Sequence, residues 1–384
     1  MPICYFVFQS IGYNKFVIKR IFESGGANMK KFLKGFFKAI LVILIILIVL
    51  MGALLIWLSA VEYKPEDQEN VTVEALGGEA KQLAAGDSIN IVAWNIGYGA
   101  LGDNADFFMD GGKMVYSADE ARVKTNMDAI VSEVASNNPD IIMFQEIDID
   151  SSRSYHIDQT AYFDGMGYNN MAFANNFKVA YFPFPIPPYG KIDSGVATYS
   201  KYATSSATRV QLPCPFSWPV RTINLKRCLL ITRIPVEGGK ELVIVNLHLE
   251  AYDDGEGKAA QAQMLMDILN KEVAKGNYVI AGGDFNQSFS NVQNPYKVFP
   301  EQWQPAAMDV SPFENDWQFV MANDVPTCRS LYAPLAGNDP DSLQYYMIDG
   351  FILSKNITIN SYSIEDLGFV NSDHNPQILN ITLN

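Results

Sequence analysis

Histidine and cysteine are scarce in this sequence, with three His and four Cys among 384 residues. Cys4, Cys214, Cys228 and Cys328 make no C-x-x-C pair and no His/Cys cluster at zinc spacing, so a structural zinc site is not expected. G-x-S-x-G, G-x-x-x-x-G-K-[ST] and H-E-x-x-H are all missing. Nucleophile-elbow, P-loop and zincin chemistry therefore lack a foothold. No internal repeat or low-complexity tract occurs. Charge is wholly missing from residues 39–61, a run that at ~1.5 Å per residue spans the roughly 30 Å hydrocarbon core of a bilayer.

The flanks of that run orient it. Lys30, Lys31, Lys34 and Lys38 precede it, and Glu62, Glu66, Asp67 and Glu69 follow it with only Lys64 among them. The positive-inside rule then predicts a cytoplasmic segment 1–38, an anchor 39–61 and an extracytoplasmic remainder in the cell membrane. The run exceeds the ~7–15 residues of a signal-peptide core and no clean A-x-A site follows, so an uncleaved anchor is expected. Met29-Lys30-Lys31 opens like the start of a bacterial membrane protein; residues 1–28 read as a start-site artefact and receive no function. Residues 62–88 are polar, acidic and glycine-containing, and read as a tether on the order of 30 Å long. Seven Lys/Arg against one acidic residue before 62 leave residues 62–384 at −20, since the whole chain carries −14. So acidic a surface disfavours polyanions and suits divalent cations. Cys214 and Cys228 either bridge across CPFSWPVRTINLKRC or stand as two buried thiols.

From residue 89 short β-rich runs alternate with two helices. INIVAWNI (89–96), IIMFQEI (141–147), VATYSKY (196–202), CLLITRIPV (228–236), ELVIVNLHLE (241–250), YVIAGGDF (278–285), YMIDGFILS (346–354) and the last nine residues read as strands. Ser117 and Glu120 match a capping box ahead of Val123, Met127, Ile130, Val131 and Val134 at helical spacing. A second helix runs over about 258–275, with Ala262, Leu265, Leu269 and Val273 on one face and Gly276 as its stop. These elements predict two packed sheets flanked by helices in one domain, 89–384. Stretches 98–115 and 288–344 read as long irregular loops of the functional or mobile kind.

Six strand ends carry the chemistry. Asn95 closes INIVAWN, Glu146 closes IIMFQE, and His248 sits near the end of ELVIVNLHLE. Asp284 and Asn286 close YVIAGGDFN, Asp349 ends YMID, and Asp373-His374 precedes the last strand. Carboxylates, carboxamides and imidazoles gathered at one sheet edge form a site. These hard oxygen donors suit Mg²⁺, with Mn²⁺ or Ca²⁺ as alternatives. Such an ion polarises a phosphoryl oxygen, while a carboxylate or His–Asp pair activates water.

The order WN, QE, NLH, GGDFN, Y-x-I-D and SDH resembles the endonuclease/exonuclease/phosphatase superfamily, with its deoxyribonuclease I-like fold, over residues 89–384. The resemblance implies an α/β, four-layer α/β/β/α sandwich and metal-dependent hydrolysis of a phosphate ester. It implies Glu146 as principal metal ligand, Asn95 beside it and Asp373 as a further metal-site carboxylate. Asp284 would orient or deprotonate water, and Asn286 would hold water or a phosphate oxygen. His374 would act on the phosphate, oriented by Asp349, with His248 opposite. P-T-C-R at 326–329 resembles the family's threonine segment, with Cys328 where an aromatic is common, so Thr327 is a candidate substrate contact. Arg153 in SSRS either contacts substrate or is an exposed surface arginine.

The motifs fix the reaction and leave the ester open. Loops around the site are neutral to acidic (GDNADFFMDGG, NDPDSLQ), which weighs against duplex DNA. An anchored phosphodiesterase or phosphatase acting on a small or lipid-linked ester is expected, with no protein partner. YFPFPIPPYG (181–190) is either lipid-facing or a loop packed on its own aromatics. The alternatives are an extracytoplasmic nuclease of DNA or RNA and a tethered binding module of the same fold without turnover.

Overall fold

A computed structural model describes residues 4–253 and 255–384, with side chains described from residue 29 onward. Residues 1–3, part of the segment assigned no function, lie outside the described residues. The chain divides into Met1–Ala60 and Val61–Asn384. The first holds one helix, α1 (Cys4–Ala60). Its stretch Met29–Ala60 is long and apolar enough to cross a membrane and contains all of the expected span except Val61.

The second unit is built on two seven-stranded sheets. One has the order β1 (Gln68–Val71), β7 (Ser206–Gln211), β8 (Cys228–Pro235), β9 (Glu241–His248), β10 (Tyr278–Asp284), β16 (Asp349–Ser354), β13 (Trp317–Met321). The other runs β17 (Ile357–Ile364), β18 (Gln377–Leu383), β3 (Ser88–Asn95), β4 (Ile141–Asp148), β6 (Gly190–Ser200), β5 (Asn170–Phe182), β2 (Val73–Ala75). Both are mixed: β3 pairs parallel with β4, and β9 with β10, within otherwise antiparallel ladders. Two small pairs, β11 (Gln287–Phe289) with β12 (Ala306–Met308) and β14 (Cys328–Arg329) with β15 (Tyr345–Tyr346), complete the strands.

Period-two alternation sorts the strands into layers. Ile89, Ile91 and Ala93 of β3, Ile141 and Met143 of β4, and Leu242, Ile244, Tyr278 and Ile280 share the core between the sheets. The alternate residues Val92, Trp94, Ile142 and Phe144 face α2 (Glu120–Asn137) through its Val123, Met127, Ile130 and Val134. Val243, Val245, Leu247, Val279 and Ala281 face α3 (Glu256–Ala274) through Leu265, Met266 and Leu269. The result is the four-layer α/β/β/α sandwich.

Several local expectations change. The α2 cap is Asp119, which accepts from the Arg122 amide at 2.8 Å, while Ser117, two residues earlier, donates to the Asp106 carbonyl at 2.9 Å. Residues 62–88 are no free tether: β1 and β2 pair at the edge of one sheet each. Only 61–67 join α1 to β1. The expected loop 288–344 contributes β13 to the first sheet. Cys214 and Cys228 are unbonded, the first exposed and the second buried.

Candidate active site

The apolar layer between the sheets ends in the residues singled out from the sequence. Asn95 lies two positions beyond Ala93, His248 four beyond Ile244, and Asp284 four beyond Ile280, so each continues the inward face of its strand. Register aligns them. Asp284 pairs with His248 of β9 on one side and Asp349 of β16 on the other. The neighbours in the QE and N-x-H motifs meet across the sheets: Gln145 Nε2 donates to Asn246 Oδ1 at 2.8 Å. A bulge in β4 between Phe144 and Ile147, with Glu146 at φ 51°, sets Glu146 off the regular alternation. The two glycines of GGD are steric requirements. A Cβ at Gly282 would come within 2.3 Å of the Phe351 ring, and one at Gly283 (φ 130°) within 2.2 Å of the Leu247 carbonyl.

Asp373-His374 is fixed by the first motif. Trp94 Nε1 donates to the His374 carbonyl at 2.9 Å, and Ser372 Oγ donates to the Asn95 carbonyl at 2.9 Å. The tryptophan of WN thus holds the backbone of His374.

Distances within the group are short. Asn95 Nδ2 lies 3.0 Å from Asp284 Oδ2 and 3.2 Å from Glu146 Oε1. His248 Nε2 is 3.4 Å and His374 Nε2 3.8 Å from the same Asp284 oxygen. His374 Nδ1 is 2.9 Å from Asp349 Oδ2. Asp284 Oδ1 accepts from the Asn286 amide at 2.8 Å, and Asn286 Nδ2 donates to the Leu249 carbonyl at 2.9 Å. That leaves one Asn286 amide hydrogen for the cleft.

The environments of the two imidazoles push them apart. Burial, with Arg227 and His374 nearby, holds His248 well below the usual histidine range. Burial acts the same way on His374, but the Asp349 carboxylate and the Cys328 side chain outweigh it and raise that imidazole well above the range. His374 is then a cationic donor and His248 a neutral ring.

The carboxylates fit a hard divalent cation. Asp373 Oδ1 is buried with no hydrogen-bond partner among the described residues. Burial, then the Glu146 charge, push its carboxyl up to about 7 against the pull of His374 and Arg329. Burial and Asp349 likewise raise Asp284. Carboxylates crowded without enough positive charge, beside the Asn95 carboxamide, are donors of the kind a hard divalent cation takes. Asp373 and His374 also converge with Cys328, but burial raises that thiol to about 12, so it offers no thiolate.

Two expected substrate contacts are not surface ligands. Thr327 is fully buried, and its hydroxyl accepts from the amides of Ile348 at 3.0 Å and Asp349 at 3.2 Å. It supports the backbone at Asp349, the carboxylate that pairs with His374. Arg153 is 4 % exposed and no surface arginine. Its guanidinium forks onto Asp148 at 2.9 and 3.0 Å and also donates to Tyr189 and Ser194. It stacks 3.7 Å from the Tyr98 ring, in the wall of a cleft of about 440 Å³ that the catalytic group opens onto.

That cleft contains residues the sequence reading passed over. Asn176 Nδ2 is buried, faces the cleft and has no hydrogen-bond partner among the described residues. It is suited to a phosphate oxygen. The bulge in β5 between Asn175 and Phe177 breaks the alternation that would have marked its strand. Arg227 lines the cleft 3.5 Å from Glu250 Oε2, with Nη1 3.3 Å from the His248 carbonyl. Its only sequence signal was a position just before a strand.

Comparison with known proteins agrees with this fold. The sequence model described as Endonuclease/Exonuclease/phosphatase family matches residues 92–318. An endonuclease/exonuclease/phosphatase from Beutenbergia cavernae DSM 12333 superposes with TM-score 0.53 at 17% identity, covering 77% of this chain and 72% of that one. A Bacteroides vulgatus endonuclease/exonuclease/phosphatase gives TM-score 0.49 at 14% identity, covering 78% of this chain and 100% of the other. The human Nocturnin catalytic domain gives 0.46 at 16%, covering 82% and 99%. None of the curated proteins matches the chain in sequence. With a family match across more than half its length, on the fold and strand-end residues described, the chain belongs to the endonuclease/exonuclease/phosphatase family.

Proposed function

We propose that this chain is a divalent-metal-dependent phosphoesterase, hydrolysing a phosphodiester or monoester by direct attack of water. The observation that carries this is the alignment of His248, Asp284 and Asp349 at one register across three adjacent strands, beside Glu146 and the buried, unpartnered Asp373 Oδ1. Asn95, Glu146 and Asp373 would hold Mg²⁺, which supplies Lewis-acid polarisation of a phosphoryl oxygen. Asp284 orients the attacking water and accepts its proton. His374, charged through Asp349, and neutral His248 donate to the phosphoryl oxygens from either side. Asn286 and Asn176 offer further amide donors. The test uses the full-length chain in detergent on bis(p-nitrophenyl) phosphate and p-nitrophenyl phosphate with Mg²⁺. EDTA is expected to lower the rate at least about 100-fold, and Mg²⁺ to restore it. Hydrolysis indifferent to EDTA would sink the reading.

The same proposal places the catalytic unit outside the cell membrane, on the basis of Lys30, Lys31, Lys34 and Lys38 before the apolar helix and the acidic residues after it. Cys214 is exposed, so a thiol reagent that cannot cross the membrane is expected to label it in intact cells. Labelling only after lysis would reverse the topology.

A further inference from the structure

The lining of the cleft is of two unlike kinds. Beside the candidate catalytic residues it includes Phe177, Phe182, Phe216, Val220, Ile223 and Leu225. No lysine lines it among the described residues. Its arginines already serve partners: Arg153 binds Asp148, Arg227 faces Glu250, and Arg329 donates to the carbonyls of Gly102, Ala105 and Ser330. A substrate group lying along these side chains meets hydrocarbon and rings.

Outside the cleft the apolar surface continues. The 182–190 loop packs its base inward, with Tyr189 buried against Phe107, Phe108 and Phe182. Its tip points the other way: Ile186 is 94% and Phe184 53% exposed. On the loop that supplies Phe216 to the cleft, Trp218 and Val220 are also more than half exposed or at half. Large apolar side chains shown to water on two loops around one cleft mark a contact surface.

The course of the chain indicates what that surface meets. Glu62 Oε1 is ion-paired with Arg221 at 3.4 Å and Lys226 at 3.3 Å, in the segment that carries Val220. Glu62, two residues after the apolar helix in the sequence, is therefore held beside this rim.

We infer that the rim formed by Phe184, Ile186, Trp218 and Val220 seats in the bilayer surface, and that the substrate is an amphiphile whose phosphate ester carries a hydrocarbon chain. The chain lies along the apolar wall while the phosphorus reaches Asp284 and His374. Water forms the new P–O bond, the bond to the leaving alcohol breaks, and the leaving oxygen takes up a proton. This inference rests on the phosphoesterase reading, and the experiment separates the two. Full-length protein in phosphatidylcholine vesicles is given Mg²⁺ and p-nitrophenyl phosphodiesters whose second alcohol is methyl or hexadecyl. The hexadecyl ester is expected to show a kcat/KM at least about tenfold higher. The Phe184→Ser/Ile186→Ser variant is expected to lose that advantage while cleaving the methyl ester at the parent rate. Equal rates on both esters, or a preference that survives the double substitution, would overturn the inference. Failure to cleave either ester would instead overturn the phosphoesterase reading. An independent readout uses Ile186→Cys with Cys4→Ser and Cys214→Ser, labelled with an environment-sensitive fluorophore. Quenching by spin-labelled lipid supports the seated rim, and water-like unquenched emission refutes it.

Discussion

Asp284→Asn is expected to slow phosphodiester hydrolysis by about 10³-fold without loosening the fold. The substitution is nearly isosteric and removes the oxygen that faces Asn95, His248 and His374 within 3.8 Å. It also removes the group best placed to take a proton from water. Stability is expected to hold or rise, because Asp284 is buried beside Asp349 and burial already disfavours its charge. Rates of parent and variant under saturating Mg²⁺, with unfolding temperatures of both, check the pair of effects. A variant within tenfold of the parent would remove Asp284 from the proton transfer. A variant that unfolds several degrees earlier would show that its carboxylate is structural instead.

The second large effect is on stability. Arg153→Met is expected to cost about 3–5 kcal/mol, the penalty for leaving a buried ion without its partner. Asp148 is fully buried, and without the guanidinium fork its side chain keeps, among the described residues, only the 2.8 Å hydrogen bond from Ser154 Oγ. Arg153→Lys is expected to recover little, since an ammonium cannot span both Asp148 oxygens while stacking on Tyr98. Pairing Arg153→Met with Asp148→Leu should recover most of the loss by removing the orphaned charge. Denaturant midpoints of the three variants measure this. A midpoint unchanged in Arg153→Met, with kcat/KM alone reduced, would return Arg153 to substrate contact.

What was legible in the sequence follows a physical rule. The six strand-end motifs could be read because buried strands are nearly continuous apolar runs, so a polar residue at their ends stands out. Asn95, Glu146, His248, Asp284, Asp349 and His374 all come together at one edge of the sandwich. Edge strands were not legible. QENV and VEA are half exposed and polar, so β1 and β2 read as a tether although they close one sheet each. Asn176 sits where a bulge destroys the period, and the two backbone amides that Thr327 accepts leave no mark in its motif. A hydroxyl that caps two backbone amides looks the same in sequence as one that meets substrate. Cys214 and Cys228 show the limit of spacing: one faces solvent and the other is packed in β8, which no separation along the chain reveals.

Strand β18 lies between β17 and β3 rather than at an edge, and Trp94 of β3 holds the carbonyl of His374 just before it. During synthesis, a chain made as far as residue 360 already contains Glu146, His248, Asp284 and Asp349. It has neither Asp373 nor His374, and the slot beside β3 is unfilled. The candidate site is therefore completed only once residues 373 and 374 have been made and β18 has inserted beside β3, long after the apolar helix has left the ribosome.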